Sequence, residues 1–229
     1  MSVHDLYTII SNHVAVLESK TASGKMGIVV DAAKALASIA KSEIQNEQMS
    51  RQNMIIDAGG GSALIRVVLD AENEEDQWWA ALALIQITFG NERVIDRLID
   101  LSKAKQQSSK AKEAFDLAMA LTIEGPKLCL VEAAASVLGN KKRYASDRIK
   151  FAIVKVLTNV ANKYWPSHDL LFHHGILELV IPLCRSSNTP ALVSAVIGLI
   201  CSLSCNDHSR RQLIRTGVVR AIIPIARSE

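Results

Sequence analysis

Apolar residues fall at helical spacing almost from the first residue of this chain. Val3, Leu6, Ile9, Ile10, Val14 and Leu17 share one side of a helix whose other side carries Ser11, Asn12 and Glu18. Thr21-Ala22-Ser23-Gly24-Lys25 interrupts it, and a second helix runs to about Lys41. The end of that helix is a template. Ala32-x-x-Ala35-Leu36-x-Ser38-Ile39-Ala40 returns as Ala80-x-x-Ala83-Leu84-x-Gln86-Ile87-Thr88. It returns again as Ile153-x-x-Val156-Leu157-x-Asn159-Val160-Ala161, and as Val196-x-x-Leu199-Ile200-x-Ser202-Leu203-Ser204. Template positions one, four, five and eight are apolar, which makes a one-sided helical stripe, and a small residue closes each copy. The steps from Ala32 to Ala80, Ile153 and Val196 are 48, 73 and 43 residues. The middle step predicts one further, degenerate copy, placed on Ala111–Leu121 with Met119 at the polar slot.

A second pattern repeats beside the first. Leu171–Ser186 matches Leu213–Ser228 at an offset of 42, with Gly175 over Gly217, Pro182 over Pro224 and Arg185-Ser186 over Arg227-Ser228. Ile55–Gly59 and Leu64–Val67 give an earlier, weaker copy. Self-similarity at this period is the mark of a helical repeat array. Each unit reads as a short first helix, a sharp turn at Gly, a second helix, and a long third helix ending in a polar loop (Asn91, Asn162, Asn206). Gly fits the turn because it accepts positive φ without steric cost. Pro182 and Pro224 lie inside the second helix and are expected to bend it. The apolar second helix Val218–Ile225 has no third helix after it, which predicts that the chain is one piece of a longer protein.

This combination resembles the armadillo repeat: short helix, Gly turn, second helix, then Ala-x-x-x-Leu-x-polar-apolar-small. The resemblance implies an all-α, right-handed α-solenoid of about five three-helix repeats. It implies one array over 1–229, with an N-terminal helix or cap at 1–25 and regular repeats at 26–91. Degenerate repeats follow at 92–147 and regular repeats at 148–229, the last incomplete.

Composition agrees with a large aliphatic interior. Of 229 residues, 49% are hydrophobic and only 4% aromatic, which suits helix packing more than sheet. The apolar run Ala191–Cys205 carries Ser194, Ser202 and Ser204 and is too short to span a bilayer. Net charge is +3, unevenly placed: 12 Lys+Arg against 15 Asp+Glu in 1–114, and 14 against 8 in 115–229. The C-terminal half is thus suited to an acidic partner and the run Asp70–Asp76 to a basic one, beside the plainer reading of both as solvated surface. Cys129, Cys184, Cys201 and Cys205 form no Cys-x-x-Cys. They read as small buried apolar groups in a reducing compartment, the cytoplasm, with the nucleus as the alternative.

Motifs that carry chemistry are few. No phosphate-binding loop, nucleophile elbow or zinc-protease motif occurs. Gly59-Gly60-Gly61-Ser62 opens a helix and is read as a repeat turn. His168, His173 and His174 read as solvent-exposed or turn-packing residues. Cys201, Cys205 and His208 fit no zinc spacing. Glu74-Glu75 is placed in a loop with no pocket. These readings argue for a chain that is not an enzyme, with no cofactor and no metal.

What the resemblance implies instead is binding. In such arrays the third helices line a concave groove that holds an extended protein segment. An Asn at the polar slot clamps the segment's backbone, and a Trp four residues earlier packs its side chains. Carried over, the polar slots are Ser38, Gln86, Asn159 and Ser202. The positions four earlier are Lys34, Leu82, Lys155 and Gly198. Only Asn159 keeps the Asn, and Trp78 and Trp79 are out of register. Lys34 and Lys155 would repel a basic peptide, so the groove is expected to prefer a neutral or acidic segment, with Lys34 and Lys163 as charge selectors. This departs from nuclear-import adaptors. Gly59–Ile65 is similar to a segment of myosin-chaperone (UNC-45-like) domains, so a client-binding chaperone fragment is the alternative. A third, less favoured reading is nucleic-acid binding through Lys141, Lys142, Arg143, Arg148 and Lys150, with only Tyr144 and Phe151 available for stacking.

Overall fold

Several helices begin where a short polar side chain can serve their first free N–H groups. Asn73 and Asn206 each accept a hydrogen bond from the backbone N–H two residues on, at 2.9 and 2.8 Å. Thr189 precedes Pro190, whose fixed φ suits a first helical position. In the computed structural model the described residues are 2–20, 27–107, 130–139, 145–163, 166–184 and 189–226. They form α1 (Val3–Lys20), α2 (Ile28–Ile39), α3 (Gln45–Asp57), α4 (Gly60–Asp70), α5 (Glu74–Thr88) and α6 (Glu92–Gln107). They continue with α7 (Leu130–Gly139), α8 (Asp147–Lys163), α9 (Pro166–His173) and α10 (Ile176–Val180). After α10 come a 3-10 turn (Ile181–Cys184), α11 (Pro190–Leu203), α12 (Asp207–Arg215) and α13 (Val218–Ala226). No strand occurs among the described residues.

The helices stack in layers. α2, α5, α8 and α11, which carry the template, lie side by side in one. α1, α4, α7, α10 with its 3-10 turn, and α13 form the other. The first helices α3, α6, α9 and α12 pair as α3 with α6 and α9 with α12. One continuous core runs between the two layers, from Ile10, Val14 and Leu17 at one end to Leu203, Leu213 and Val218 at the other. Each Leu or Ile buried there contributes about 1.5–3 kcal/mol of transfer free energy. α5 is the middle of it: Ala80, Ala81, Ala83, Leu84 and Ile87 are buried between α2, α4 and α8.

α5 packs directly on α8, with no third helix between them. The 73-residue step therefore covers one layer of the stack among the described residues. The further copy expected on 111–121 lies outside them. Lys103 and Lys105 lie in the last turns of α6. Asn162 lies within α8, not in a loop.

The Gly turns behave as the sequence requires. Gly59, Gly175 and Gly217 have φ of +86°, +64° and +77°. Gly60 is needed for a different reason. A Cβ there would sit 2.6 Å from Ile55 Cγ2 and 2.8 Å from the Ile55 carbonyl oxygen, so α3 and α4 meet where only a bare backbone fits. After Val180 the second helix of its unit tightens into the 3-10 turn that holds Pro182, whose ring nitrogen has no hydrogen to donate.

A polar seam closes the C-terminal ends of the third helices. Gln52 on α3 donates through Nε2 to the carbonyls of Gln86 (2.7 Å) and Phe89 (3.0 Å). Asn91 donates to Gln52 Oε1 at 3.0 Å and accepts from the Val94 N–H at 3.2 Å. Two units on, His168 on α9 does the same work, with Nε2 2.9 Å from the Ala161 carbonyl and Nδ1 2.8 Å from Ser209 Oγ on α12. A carbonyl only accepts, so Nε2 carries a proton, and in the neutral ring Ser209 then donates to Nδ1. The carbonyls left free at a helix end are thereby satisfied inside the protein.

Gly60→Ala is expected to lower stability by about 1–3 kcal/mol through overpacking. Gly198→Ala, whose new Cβ would meet nothing within 4 Å, is expected to raise it by about 0.5–1 kcal/mol, because Ala is the better helix former. Urea unfolding followed by circular dichroism measures both.

Candidate functional site

Template positions one, four, five and eight turn mostly inward; of the polar slots and the positions four residues before them, Asn159 and Ser202 are buried too, and the others reach the surface at least in part. Lys34 and Ser38 on α2 are exposed. Leu82 and Gln86 on α5, Lys155 on α8 and Gly198 on α11 are half-buried. Ser202 is buried at 8% exposure and donates to the Gly198 carbonyl at 2.9 Å. The Lys163 side chain lies outside the described residues, as do Lys141, Lys142, Arg143 and Tyr144.

Asn159 is 9% exposed, and its amide is already in use. Nδ2 donates to the Ile85 carbonyl at 3.0 Å and to Thr88 Oγ1 at 3.1 Å, both on α5. Thr88 Oγ1 in turn donates to the Leu84 carbonyl at 2.8 Å. The one Asn at a polar slot thus ties α8 to α5.

The tryptophans stand two turns before the polar slot of α5, where the layer meets solvent. Trp79 Nε1 donates to Glu75 Oε1 at 2.7 Å. The Lys34 ammonium lies 4.6 Å from the centroid of Trp79, and the Arg148 guanidinium 4.2 Å from the centroid of Trp78. Arg148 also donates to Glu75 Oε2 at 3.1 Å. The hydrogen bond from Trp79 holds the Glu75 carboxyl below the usual range, burial opposes it, and Arg148 and Lys34 assist. The next carboxyl, Asp76, is pushed up by burial and then by the charge of Glu75. A line of alternating charge thus crosses three adjacent third helices: Lys34, Glu75, Arg148. The repeat template marks Lys34 as a groove position but leaves both tryptophans out of register. The only available signal was a Trp pair on a third helix whose neighbours carry Lys and Arg at the matching height.

Other expectations need correction. Glu74 and Glu75 are in the first turn of α5, where the helix dipole favours carboxylates, and not in a loop. Cys184 is buried, but Cys201 and Cys205 are exposed on α11 and just beyond it. Cys129 lies outside the described residues. His168 is not at the surface but 2% exposed in the polar seam. His173 is exposed and His174 half-buried, with no hydrogen-bond partner for its buried Nε2. No group of His, Cys, Asp and Glu able to hold a metal ion occurs among the described residues. No described helix is long and apolar enough to cross a membrane.

Burial pushes the His174 pKa below its ordinary 6.5, Glu132 opposes this and His173 adds to it. Between that depressed value and 6.5 the unfolded chain binds more protons than the folded one. The contribution of this ring to stability is therefore intact above pH 6.5 and lost as pH falls through the depressed value. His174→Gln is expected to flatten the fall of the melting temperature between pH 7 and pH 5, as read by thermal denaturation.

No family model and no curated protein matches this sequence. Solved structures match its shape. A designed armadillo repeat protein, YIII(Dq)4CqI, superposes with a TM-score of 0.69 at 18% identity, over 94% of this chain and 73% of that one. A second, YIII(Dq.V1)4CPAF in complex with peptide (KR)4, gives 0.70 at 18% identity, over 96% and 82%. An engineered protein gives 0.69 at 18% identity, with 42% of its own length covered. The stacked three-helix units, the Gly turns and these superpositions together establish that the chain has the armadillo-like repeat fold, an all-α solenoid.

Proposed function

We propose that this chain is a non-enzymatic scaffold of the cytoplasm that holds a neutral or acidic protein segment along the outer face of its third-helix layer. The observation that carries the reading is the continuity of that face. Lys34 and Ser38, Leu82 and Gln86, Lys155, and Gly198 occupy equivalent places on four neighbouring helices, and each is at least partly exposed. Arrays of this shape are binding surfaces by construction, since stacking leaves an extended ribbon of side chains outside the core. A protein of the same fold carries a bound peptide. Here Lys34, Lys155 and Arg148 face that ribbon and favour a segment of the opposite sign. The exposed, unbonded Cys201 and Cys205 accord with a reducing compartment.

Selection of a random peptide library against the intact chain tests the reading. Enriched segments are expected to lack Lys and Arg. Lys155→Glu combined with Gln86→Ala is expected to weaken them about tenfold, or 1.4 kcal/mol. Selected segments indifferent to both changes would place the binding surface elsewhere. A chain that enriched no segment but suppressed aggregation of an unfolded client would be a chaperone instead.

A further inference from the structure

The two tryptophans of α5 and the cations resting on them form a unit that the groove reading does not explain by itself. An indole face on a protein surface is a place for a cation. Here both faces are already covered from within the chain, Trp79 by Lys34 of α2 and Trp78 by Arg148 of α8. A cation on a ring keeps its N–H donors, because the attraction is to the ring's charge distribution and not to a lone pair. Lys34 is exposed and has no carboxylate at ion-pair distance among the described residues, Glu75 acting on it only from further away. Arg148 commits one terminal nitrogen to Glu75, and its side chain is 46% exposed. Both Glu75 oxygens are engaged from within the chain, one accepting from Trp79 and the other from Arg148.

We propose that Lys34 and Arg148, laid on Trp79 and Trp78 and kept apart by Glu75, are a preformed acceptor for the carboxylates of an acidic peptide segment. The inference rests on the segment-binding reading and names its chemistry. Long cationic side chains ordinarily lose rotamer freedom on binding, which costs about 0.5–1.5 kcal/mol each. On these rings that cost is met during folding, so the two charges are presented already ordered. The same arrangement disfavours a basic segment at the rings, because the indole faces that would take its cations are already occupied by Lys34 and Arg148. Trp78 and Trp79 are positioning residues in this account. Lys34 and Arg148 make the contact.

The test uses the full chain with Trp165→Phe, so that Trp78 and Trp79 are the only indole reporters among its three tryptophans. Fluorescein-labelled (DE)4 and (KR)4 peptides serve as probes in anisotropy titrations at low and high salt. The expected result is binding of (DE)4, weakened by salt, with a change in indole emission, and no binding of (KR)4. Lys34→Ala with Arg148→Ala is expected to weaken (DE)4 about tenfold or more. It should also abolish the emission change while leaving the helical circular dichroism intact. Trp78→Ala with Trp79→Ala is expected to weaken (DE)4 with both cations still present, which a purely Coulombic surface would not show. Binding of (DE)4 that survives Lys34→Ala with Arg148→Ala overturns the inference and leaves the groove reading standing if Lys155→Glu still weakens it. Preference for (KR)4 overturns it outright. Failure of both peptides also overturns it, and the segment-binding reading then falls only if the library selection is empty as well.

Discussion

The structure depends on the close approach of its third helices. α2, α5, α8 and α11 lie flank to flank, each also packed on the other layer, so most of a third helix's circumference is buried against protein. Alanines make up much of that buried surface on the first two and part of it on the third: Ala32, Ala33 and Ala37 on α2, Ala80, Ala81 and Ala83 on α5, Ala152 and Ala161 on α8. Larger aliphatic side chains fill the rest, and Leu36, Leu84, Leu157 and Leu199 are all buried. Small residues give up apolar area and gain proximity. Polar side chains caught between the helices must then find partners there, because no water reaches them. Thr88 and Asn159 answer each other in that place.

The tryptophans follow from the same constraint. A side chain of that size fits a third helix only where the layer opens to solvent, near the start of α5, and there each ring remains half-buried. The exposed part of each ring is covered by the long side chain of a neighbouring third helix, which places two cations on the surface the layer presents. The first helices contribute little to that surface. Their role is to seal the third-helix ends, through Gln52 and Asn91 on one side of the array and through His168 and Ser209 on the other.

How legible was this in the sequence? The template and the Gly turns were plain, because packing repeats a pattern and the pattern can be counted. Gly59, Gly175 and Gly217 all take the positive φ their spacing implied. The step from Ala80 to Ile153 was harder, since a long insertion and a decayed unit give the same spacing, and the spacing says nothing of the direct packing of α5 on α8. The polar seam was invisible as a motif: Gln52 and His168 do one job with different side chains. The slot of Asn159 was readable but not the direction of its amide, which is decided by Thr88 and the Ile85 carbonyl across the seam. The Trp-held cations join residues far apart in the chain, and nothing in the local pattern of α5 announces them.

The central claim is that α5 and α8 are direct neighbours locked in this alignment. A double-mutant cycle on Thr88 and Asn159 tests it most directly. Thr88→Val, Asn159→Ala and the double variant would be compared by urea unfolding at pH 7. The account predicts that the two changes are not additive, with a coupling of about 0.5–3 kcal/mol, as for residues sharing one hydrogen-bond network. Additivity within about 0.3 kcal/mol would mean that the two side chains do not meet, and would contradict the alignment of α5 on α8.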